Sequence, residues 1–515
     1  MSDFVIVYHR QPFEEVIENG RAVYREHSSP NGIVPTLRGF CGHCSDASWV
    51  AWTQVEGESV GRVIDTIALG DARQPLKVTR VGLSPAQVRS FYHVTSKAAL
   101  WPILHSFPGR FDYDAAEWTT FREVNRIFAE AACEVAAEGA VVWVHDYNLW
   151  LVPGMIHARR PDLRVSFFLH TPFPPPDVFG ILPWREEIMR SLLACRRVGF
   201  HVPHYAENFA ACARAFCGAL PVRRTVATDL LAQVGAVLQE PSFVSTVHCD
   251  GRDVEIDAMP IGIDVPLVHQ YLSGEEAQAL VADIRQQLNV ETMIFSVGRV
   301  DYTKGTEEML AAFDRLLQRR PELLGRVKLC LTSVAPARGM DTYAEIQLAI
   351  EQRVGNINGR YSTLDWTPIL LFTRPIRFNQ LVAWYRAADI CWITPLRDGL
   401  NLVAKEYVAA QEGGSGVLVL SEFSGVVIEL DEAVHTNPYS ARNMDAAIDR
   451  ALDMPEAEAR QRQQAMYRRV SDCDIQAWTD DMLRRLGFVA DAASLRPSSG
   501  HVERLHDTVD CALEH

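Results

Sequence analysis

Ile390-Cys-Trp-Ile-Thr-Pro-Leu-Arg-Asp-Gly-Leu-Asn-Leu-Val-Ala-Lys-Glu-Tyr407 holds the pattern on which the fold turns. Ile390–Ile393 is a continuous apolar run, the mark of a strand buried on both faces of a parallel sheet. Polar turn residues follow, and helical composition resumes near Asn401 and Leu402. Strand, turn and helix in that order make half of a βαβ unit. The turn sits at the strand's carboxyl end, where open α/β sheets bind ligands. Asp398 offers a carboxylate beside Gly399, whose bare backbone a ligand can approach closely. N–H groups at the helix start, with the positive end of its dipole, suit a phosphate. Glu406, further into the helix, is placed to accept from ribose hydroxyls. An ordinary βα turn with a capping aspartate accounts for the same residues equally well.

Outward from this segment the pattern repeats. Apolar runs at Phe4–Tyr8, Val141–Val144, Val165–Leu169 and Val198–Val202 predict strands in the first half. Met293–Val297, Val327–Leu331, Ile369–Phe372 and Val417–Leu420 do so in the second, with helical periodicity over Thr306–Leu317 and Phe378–Ala387. The fold class is α/β, with two doubly wound, Rossmann-like domains. Residues 1–260 and 261–475 are the expected domains, divided at the Pro/Gly segment Met259–Asp264, with a terminal helix over about 476–512 packing back on the first. Two such domains direct ligands to the cleft between them.

A second segment, Val297-Gly-Arg-Val-Asp-Tyr-Thr-Lys-Gly305, also follows a strand. Arg299 and Lys304 can reach one diphosphate, the first by bidentate contact and the second as a point charge. Departure of a nucleoside diphosphate needs that neutralisation, because bond cleavage builds negative charge on it. In the first half, His145-Asp-Tyr147 and Phe167–Pro174 end strands and deliver Asp146 and His170. Arg10 follows the first strand, with the turn Ser29-Pro-Asn-Gly-Ile33 nearby; together they suit an anion. GxGxxG and GxxxxGK[ST] are absent, which weakens dehydrogenase and P-loop readings.

Composition bounds the rest. The 515 residues carry a net charge of −15, which argues against nucleic-acid or anionic-membrane partners and makes any phosphate attraction local. No apolar run approaches the ~20 residues of a membrane span. Eleven cysteines without framework spacing read as reduced thiols, and Cys41-Gly-His-Cys44 as a loop rather than a zinc or redox site. A soluble cytoplasmic protein is expected, with oligomeric state open to a homo-oligomer. Leu513-Glu514-His515 resemble the start of an appended tag and carry no argument.

Taken together, HDYNLW, FFLHTPFP, GRVDYTKG, DWTP and TPLRDGLNLVAKEY resemble glycosyltransferase family 20, the family of trehalose-phosphate synthase, over nearly the whole chain. The resemblance implies a GT-B fold, a nucleotide-sugar donor, retention of anomeric configuration and no obligatory metal or cofactor. It assigns Arg299 and Lys304 to the donor diphosphate. Asp398 and the backbone of Gly399, Leu400, Asn401 and Leu402 fall to the donor glucose, His170 also meets that glucose, and Glu406 falls to the ribose. Ile376 is placed near the base and Gly32 on the donor side. Asp146 faces the reacting centre, with Arg10, Tyr92, Trp101, Tyr147 and Arg338 on the acceptor side.

The N-terminal region departs from the trehalose enzymes. Tyr8-His-Arg10, Asn31-Gly-Ile33, Phe91–Lys97 and Trp101–Pro108 instead resemble a branch that glucosylates glycerol 3-phosphate from ADP-glucose in compatible-solute synthesis. Glucose 6-phosphate as acceptor is the close alternative, and a catalytically silent nucleotide-sugar sensor the alternative of another class.

Overall fold

The computed structural model describes residues 1–18, 21–25, 33–41, 44, 46–69, 76–227, 237–334, 341–488 and 508–510. They divide into two compact units, residues 1–260 with 478 onward, and residues 261–477, apart from a short piece of 233–238 grouped with the second.

Apart from a separate antiparallel pair, Glu14–Glu18 with Arg21–Arg25, the strands of the first unit are β1 (Ser2–Val7), β2 (Ala47–Gln54), β3 (Val63–Leu69), β4 (Leu76–Leu83) and β5 (Ala136–His145). They continue as β6 (Arg164–Phe168), β7 (Arg197–Phe200), β8 (Leu220–Val226), β9 (Ser242–Cys249) and β10 (Arg252–Ala258). The sheet runs β3-β4-β2-β1-β5-β6-β7-β10-β9-β8. From β4 to β10 all neighbours are parallel, and antiparallel strands finish both edges. Phe4 to Val7 are wholly buried, which is why that strand is apolar without alternation.

The second unit is all parallel: β11 (Thr292–Arg299), β12 (Val327–Val334), β13 (Ile369–Phe372), β14 (Ile390–Ile393), β15 (Val417–Ser421) and β16 (Val434–Thr436), ordered β13-β12-β11-β14-β15-β16. Helix Thr306–Arg319 lays Met309, Leu310, Phe313, Leu316 and Leu317 into the core, an i, i+3, i+4 stripe.

Both units share a decisive topology. Each parallel core winds outward from its first strand, returns, and winds the other way from its fourth. The order reverses between β1 and β5 in the first unit and between β11 and β14 in the second. At such a switch point the loops leave in opposite directions and open a crevice at the strands' carboxyl ends.

The terminal segment differs from expectation. Its helix spans Ile475–Leu486 rather than reaching 512, and Gly487 in the left-handed region (φ +81°) ends it. Trp478 stacks near Trp143 of β5 at 5.9 Å between ring centroids, and Thr508–Asp510 forms β17, antiparallel to β8. Among the described residues no helix is long and apolar enough to cross a membrane. Cys41 and Cys44 are buried, and burial pushes the Cys44 thiol up to about 12 and the Cys41 thiol well above its ordinary value, so both are protonated thiols and poor nucleophiles.

Candidate active site

In the second unit the loops after β11 and β14 are bolted together. Asp301 caps the turn Tyr302–Lys304 by accepting from Thr303 N–H at 3.0 Å and Thr303 Oγ1 at 2.9 Å. Leu396 N–H donates to Thr303 O at 2.7 Å, and Thr394 Oγ1 donates to Gly305 O at 3.1 Å. Gly305 turns the chain with φ +64°, and a Cβ there would lie 1.9 Å from Thr394 O. Left-handed backbone costs an L-residue about 1–2 kcal/mol before that clash is counted. Gly305→Ala is therefore expected to destabilise the second unit by about 2–4 kcal/mol, read as a fall in Tm; an unchanged Tm would show that the loops yield freely.

This joint carries the polar centre. Lys304 Nζ donates to Asp398 Oδ2 at 2.8 Å, and Asn401 Nδ2 donates to the same oxygen at 3.0 Å. Asn401 also accepts from Ala404 N–H at 3.1 Å and so caps helix Leu402–Ala410. That doubles the work of one side chain, and Asn401 holds φ +99° to do it, a conformation that persists only where surroundings impose it. The helix starts one residue later than expected, and the cap takes one of its first N–H groups. Gly425 approaches the turn so closely that a Cβ would lie 2.1 Å from Gly399 O, while Ser424 Oγ donates to Leu400 O at 2.8 Å.

Arg299 ends β11 and is exposed. Glu406 is buried in helix Leu402–Ala410 and accepts from Tyr385 OH at 2.9 Å. Thus Arg299, Lys304, Asp398, Gly399, Leu400, Asn401 and Leu402 gather at the switch point. Ile376 stands apart, in the loop after β13, two strands from β11. Gly32 and Arg338 lie outside the described residues.

The first unit repeats the arrangement with its own residues. Arg10 lies just past β1, its carbonyl accepting from Trp49 Nε1 at 2.9 Å, and Asp146 immediately follows β5. Asp146 is non-glycine at φ 71°, ψ 160°, a region almost reserved for glycine. Its N–H donates to Phe168 O at 2.9 Å, and its Oδ1 accepts from Tyr147 N–H at 3.1 Å. Burial pushes its carboxyl up to about 6, against the opposing Tyr147 N–H, the charges of Arg10 and Lys97, and the His170 N–H.

His170 is buried, with Nε2 3.1 Å from His145 Nδ1. Burial above all, then the neighbouring imidazoles of His201, His145 and His9, lowers its pKa well below the ordinary value. Neutral at physiological pH, it can hydrogen-bond a hydroxyl but is no reservoir of positive charge.

Residues 84–104 frame the other side. Ser84 starts a short helix with a capping box, Arg89–Leu100 continues as a π-helix, and Trp101–Leu104 returns to α geometry. Asn148 Nδ2 donates to Ser96 Oγ at 2.8 Å, tying the Asp146 loop to the π-helix. Tyr92 lies 5.9 Å from the His9 ring, and Trp101 lies 5.8 Å from the Tyr147 ring. Arg10, Tyr92, Trp101, Asp146 and Tyr147 are thus assembled around the first switch point.

Lys97, not named from the sequence, joins them: its Nζ lies 3.6 Å from the Trp101 ring centroid. Its spacing to Trp101 was a usable signal; its alignment with Tyr92 five residues earlier depends on π geometry. Tyr385 was also missed, because only the fold brings it to Glu406.

Residues 2–487 match Glycosyltransferase family 20. The glucosylglycerol-phosphate synthase of Synechocystis sp. (strain ATCC 27184 / PCC 6803 / Kazusa) is 48% identical over 483 residues, 94% of this chain and 97% of that protein. Its counterpart in Picosynechococcus sp. (strain ATCC 27264 / PCC 7002 / PR-6) is 47% identical over 485 residues, with 94% and 97% covered. Among solved structures, trehalose-6-phosphate synthase from E. coli bound with UDP-2-fluoro glucose superposes with a TM-score of 0.81 at 27% identity, covering 94% of this chain and 99% of that one. The two Rossmann-like units are thus those of a GT-B glycosyltransferase.

Proposed function

The chain belongs to glycosyltransferase family 20, and from that membership we propose that it transfers glucose from ADP-glucose to sn-glycerol 3-phosphate with retention. The products are 2-O-(α-D-glucosyl)-glycerol 3-phosphate and ADP, a step of compatible-solute synthesis under osmotic stress in the cytoplasm. Near-half identity to glucosylglycerol-phosphate synthases over 94% of the chain supports the acceptor. The single observation that carries the chemistry is Lys304 clasped to Asp398 at a switch point, with Arg299 at the strand end beside it. A cation for the departing diphosphate there adjoins a carboxylate for glucose hydroxyls.

Retention through a covalent glycosyl-enzyme would require a carboxylate nucleophile beneath the anomeric carbon. Asp398 is engaged by Lys304 and Asn401 and suits hydroxyl binding instead. The reading is front-face substitution. The bond from C1 to the diphosphate oxygen breaks, and the acceptor hydroxyl oxygen bonds to C1 on the same face. The hydroxyl proton passes to the departing phosphate oxygen. Arg299 and Lys304 stabilise the charge on ADP, Asp146 orients the acceptor hydroxyl, and neutral His170 hydrogen-bonds the donor sugar. No metal enters this scheme.

The test offers ADP-glucose with glycerol 3-phosphate or with glucose 6-phosphate, following ADP release and product anomer by NMR, with and without a chelator. Turnover with glycerol 3-phosphate alone, giving an α-glucoside unaffected by chelation, is the expected result. Turnover with glucose 6-phosphate instead would transfer the chain to the trehalose branch. Donor binding without turnover on either would make it a sensor.

A further inference from the structure

His145 and His170 stand at the carboxyl ends of neighbouring strands. His145 closes β5, in register with Phe168 of β6, and His170 follows two residues past that phenylalanine. Their side chains meet, His145 Nδ1 to His170 Nε2 at 3.1 Å, with the ring planes 20° apart. Phe168 and His201 pack against the His170 ring at 5.0 and 5.3 Å between centroids, and Trp143 lies 4.3 Å from His145. Neither imidazole is charged at neutral pH. Burial lowers the pKa of His145 to about 3, and burial with the neighbouring imidazoles lowers that of His170 well below the ordinary value. Each ring therefore carries one N–H, and one of the two facing nitrogens must donate to the other.

The second nitrogen of each ring decides which one donates. His145 Nε2 and His170 Nδ1 are both buried without a partner among the described residues. If His170 donates, the His145 proton sits on Nε2, in a side chain of 0% exposure that no ligand oxygen can approach. If His145 donates, its Nε2 is only a bare lone pair. The unmet N–H then belongs to His170, which is 8% exposed and stands past a strand end, where this class of sheet binds ligands. A permanently orphaned N–H is the rarer defect in a folded protein, and an under-used acceptor the more tolerated one. The second arrangement is therefore favoured, and it makes His170 a hydrogen-bond donor through Nδ1.

We propose that His145 is a positioning residue, donating from Nδ1 to His170 Nε2 and so fixing His170 as an Nδ1–H donor to a hydroxyl oxygen of the donor sugar. This rests on the reading above that His170 meets that sugar. The hydroxyl accepts from the imidazole and keeps its own proton for another partner; the opposite tautomer would demand that proton instead. His145 thus acts on the sugar only through His170.

The test uses the full-length enzyme carrying His145→Phe, which keeps a ring beside Trp143 but has no donor, and His145→Asn, whose amide nitrogen falls near the place of Nδ1. Calorimetry gives Kd for ADP-glucose and for ADP, and the ratio of the two isolates the sugar contacts. His145→Phe is expected to shift that ratio against ADP-glucose by about 3–10-fold, with Kd for ADP within about twofold. His145→Asn should recover most of the shift. In a His170→Ala background, His145→Phe should move the ratio no further, because the two residues act as one unit. Selective 15N labelling of histidine reads the tautomer itself. His170 is expected to be protonated at Nδ1 in the wild type and in His145→Asn, and no longer held to that form in His145→Phe. A His145→Phe enzyme of wild-type Tm and unchanged ratio would overturn the proposal. So would a wild-type His170 protonated at Nε2, a result that needs no variant to fold. If His170→Ala itself leaves the ratio unchanged, the placement of His170 on the donor sugar fails on its own. The spectra then decide for His145: release of the His170 tautomer in His145→Phe supports its role, and an unaltered tautomer overturns it.

Discussion

On the proposed reaction, replacing Lys304 with alanine is expected to lower kcat/KM for ADP-glucose by about 10³-fold, with most of the loss in kcat. Two effects combine. The departing diphosphate loses a point charge exactly when negative charge develops on it, and a preorganised donor at such a place is worth about 10²–10³ in rate. Asp398 also loses its 2.8 Å partner, and its Oδ2 keeps the 3.0 Å bond from Asn401. The carboxylate then repels the diphosphate instead of sharing a cation with it. Because one contact serves both residues, Lys304→Ala combined with Asp398→Asn should cost much less than the two separate losses. Single-turnover kinetics separate the chemical step from donor binding. A Lys304→Ala enzyme within tenfold of wild type would remove Lys304 from the leaving-group role, as would strict additivity of the pair.

This centre shows what a sequence can and cannot disclose. The strands Phe4–Val7, Ile369–Phe372 and Ile390–Ile393 are legible because burial on both faces leaves continuous apolar runs. Ala47–Gln54 and Leu76–Leu83 escape that reading because Ser48, Thr53, Lys77 and Arg80 interrupt them. The residue types of the site follow from their positions after strands, and the switch points explain why those positions matter. Contacts between distant residues do not follow: Lys304 meets Asp398 across 94 positions. The terminal helix reads too long from the sequence because Trp478 and Leu483 mark its buried face but Gly487 decides its end. Over twelve residues the sequence does not distinguish π from α pairing, so Lys97 reads as a surface lysine until the Tyr92 and Trp101 rings are in view.

Asp146→Asn should do two opposite things, abolishing most turnover while making the protein more stable. The carboxyl is pushed from 3.8 to about 6 on folding, so the folded chain binds its proton more tightly than the unfolded chain. Between those values the folded state carries the extra proton, so stability falls as pH rises through the window and stays lowered at pH 7. At ~1.4 kcal/mol per unit, ionised Asp146 costs the fold about 3 kcal/mol at neutral pH. Asparagine removes that charge yet can still accept from Tyr147 N–H, and it tolerates positive φ better than most residues. A gain of about 1–3 kcal/mol at pH 7 is expected, disappearing below about pH 4, where aspartate is protonated in both states. Turnover should fall by about 10²–10³-fold, because a neutral amide no longer attracts the acceptor's hydroxyl proton as a carboxylate does. In the wild type, kcat/KM should decline on the acid side with a midpoint near pH 6, and that limb should be missing from the residual activity of the variant. Thermal unfolding from pH 4 to 8 alongside pH–rate profiles gives both readouts. A variant less stable at pH 7 than wild type would mean that Asp146 serves the fold, and its strained backbone would then have no catalytic explanation.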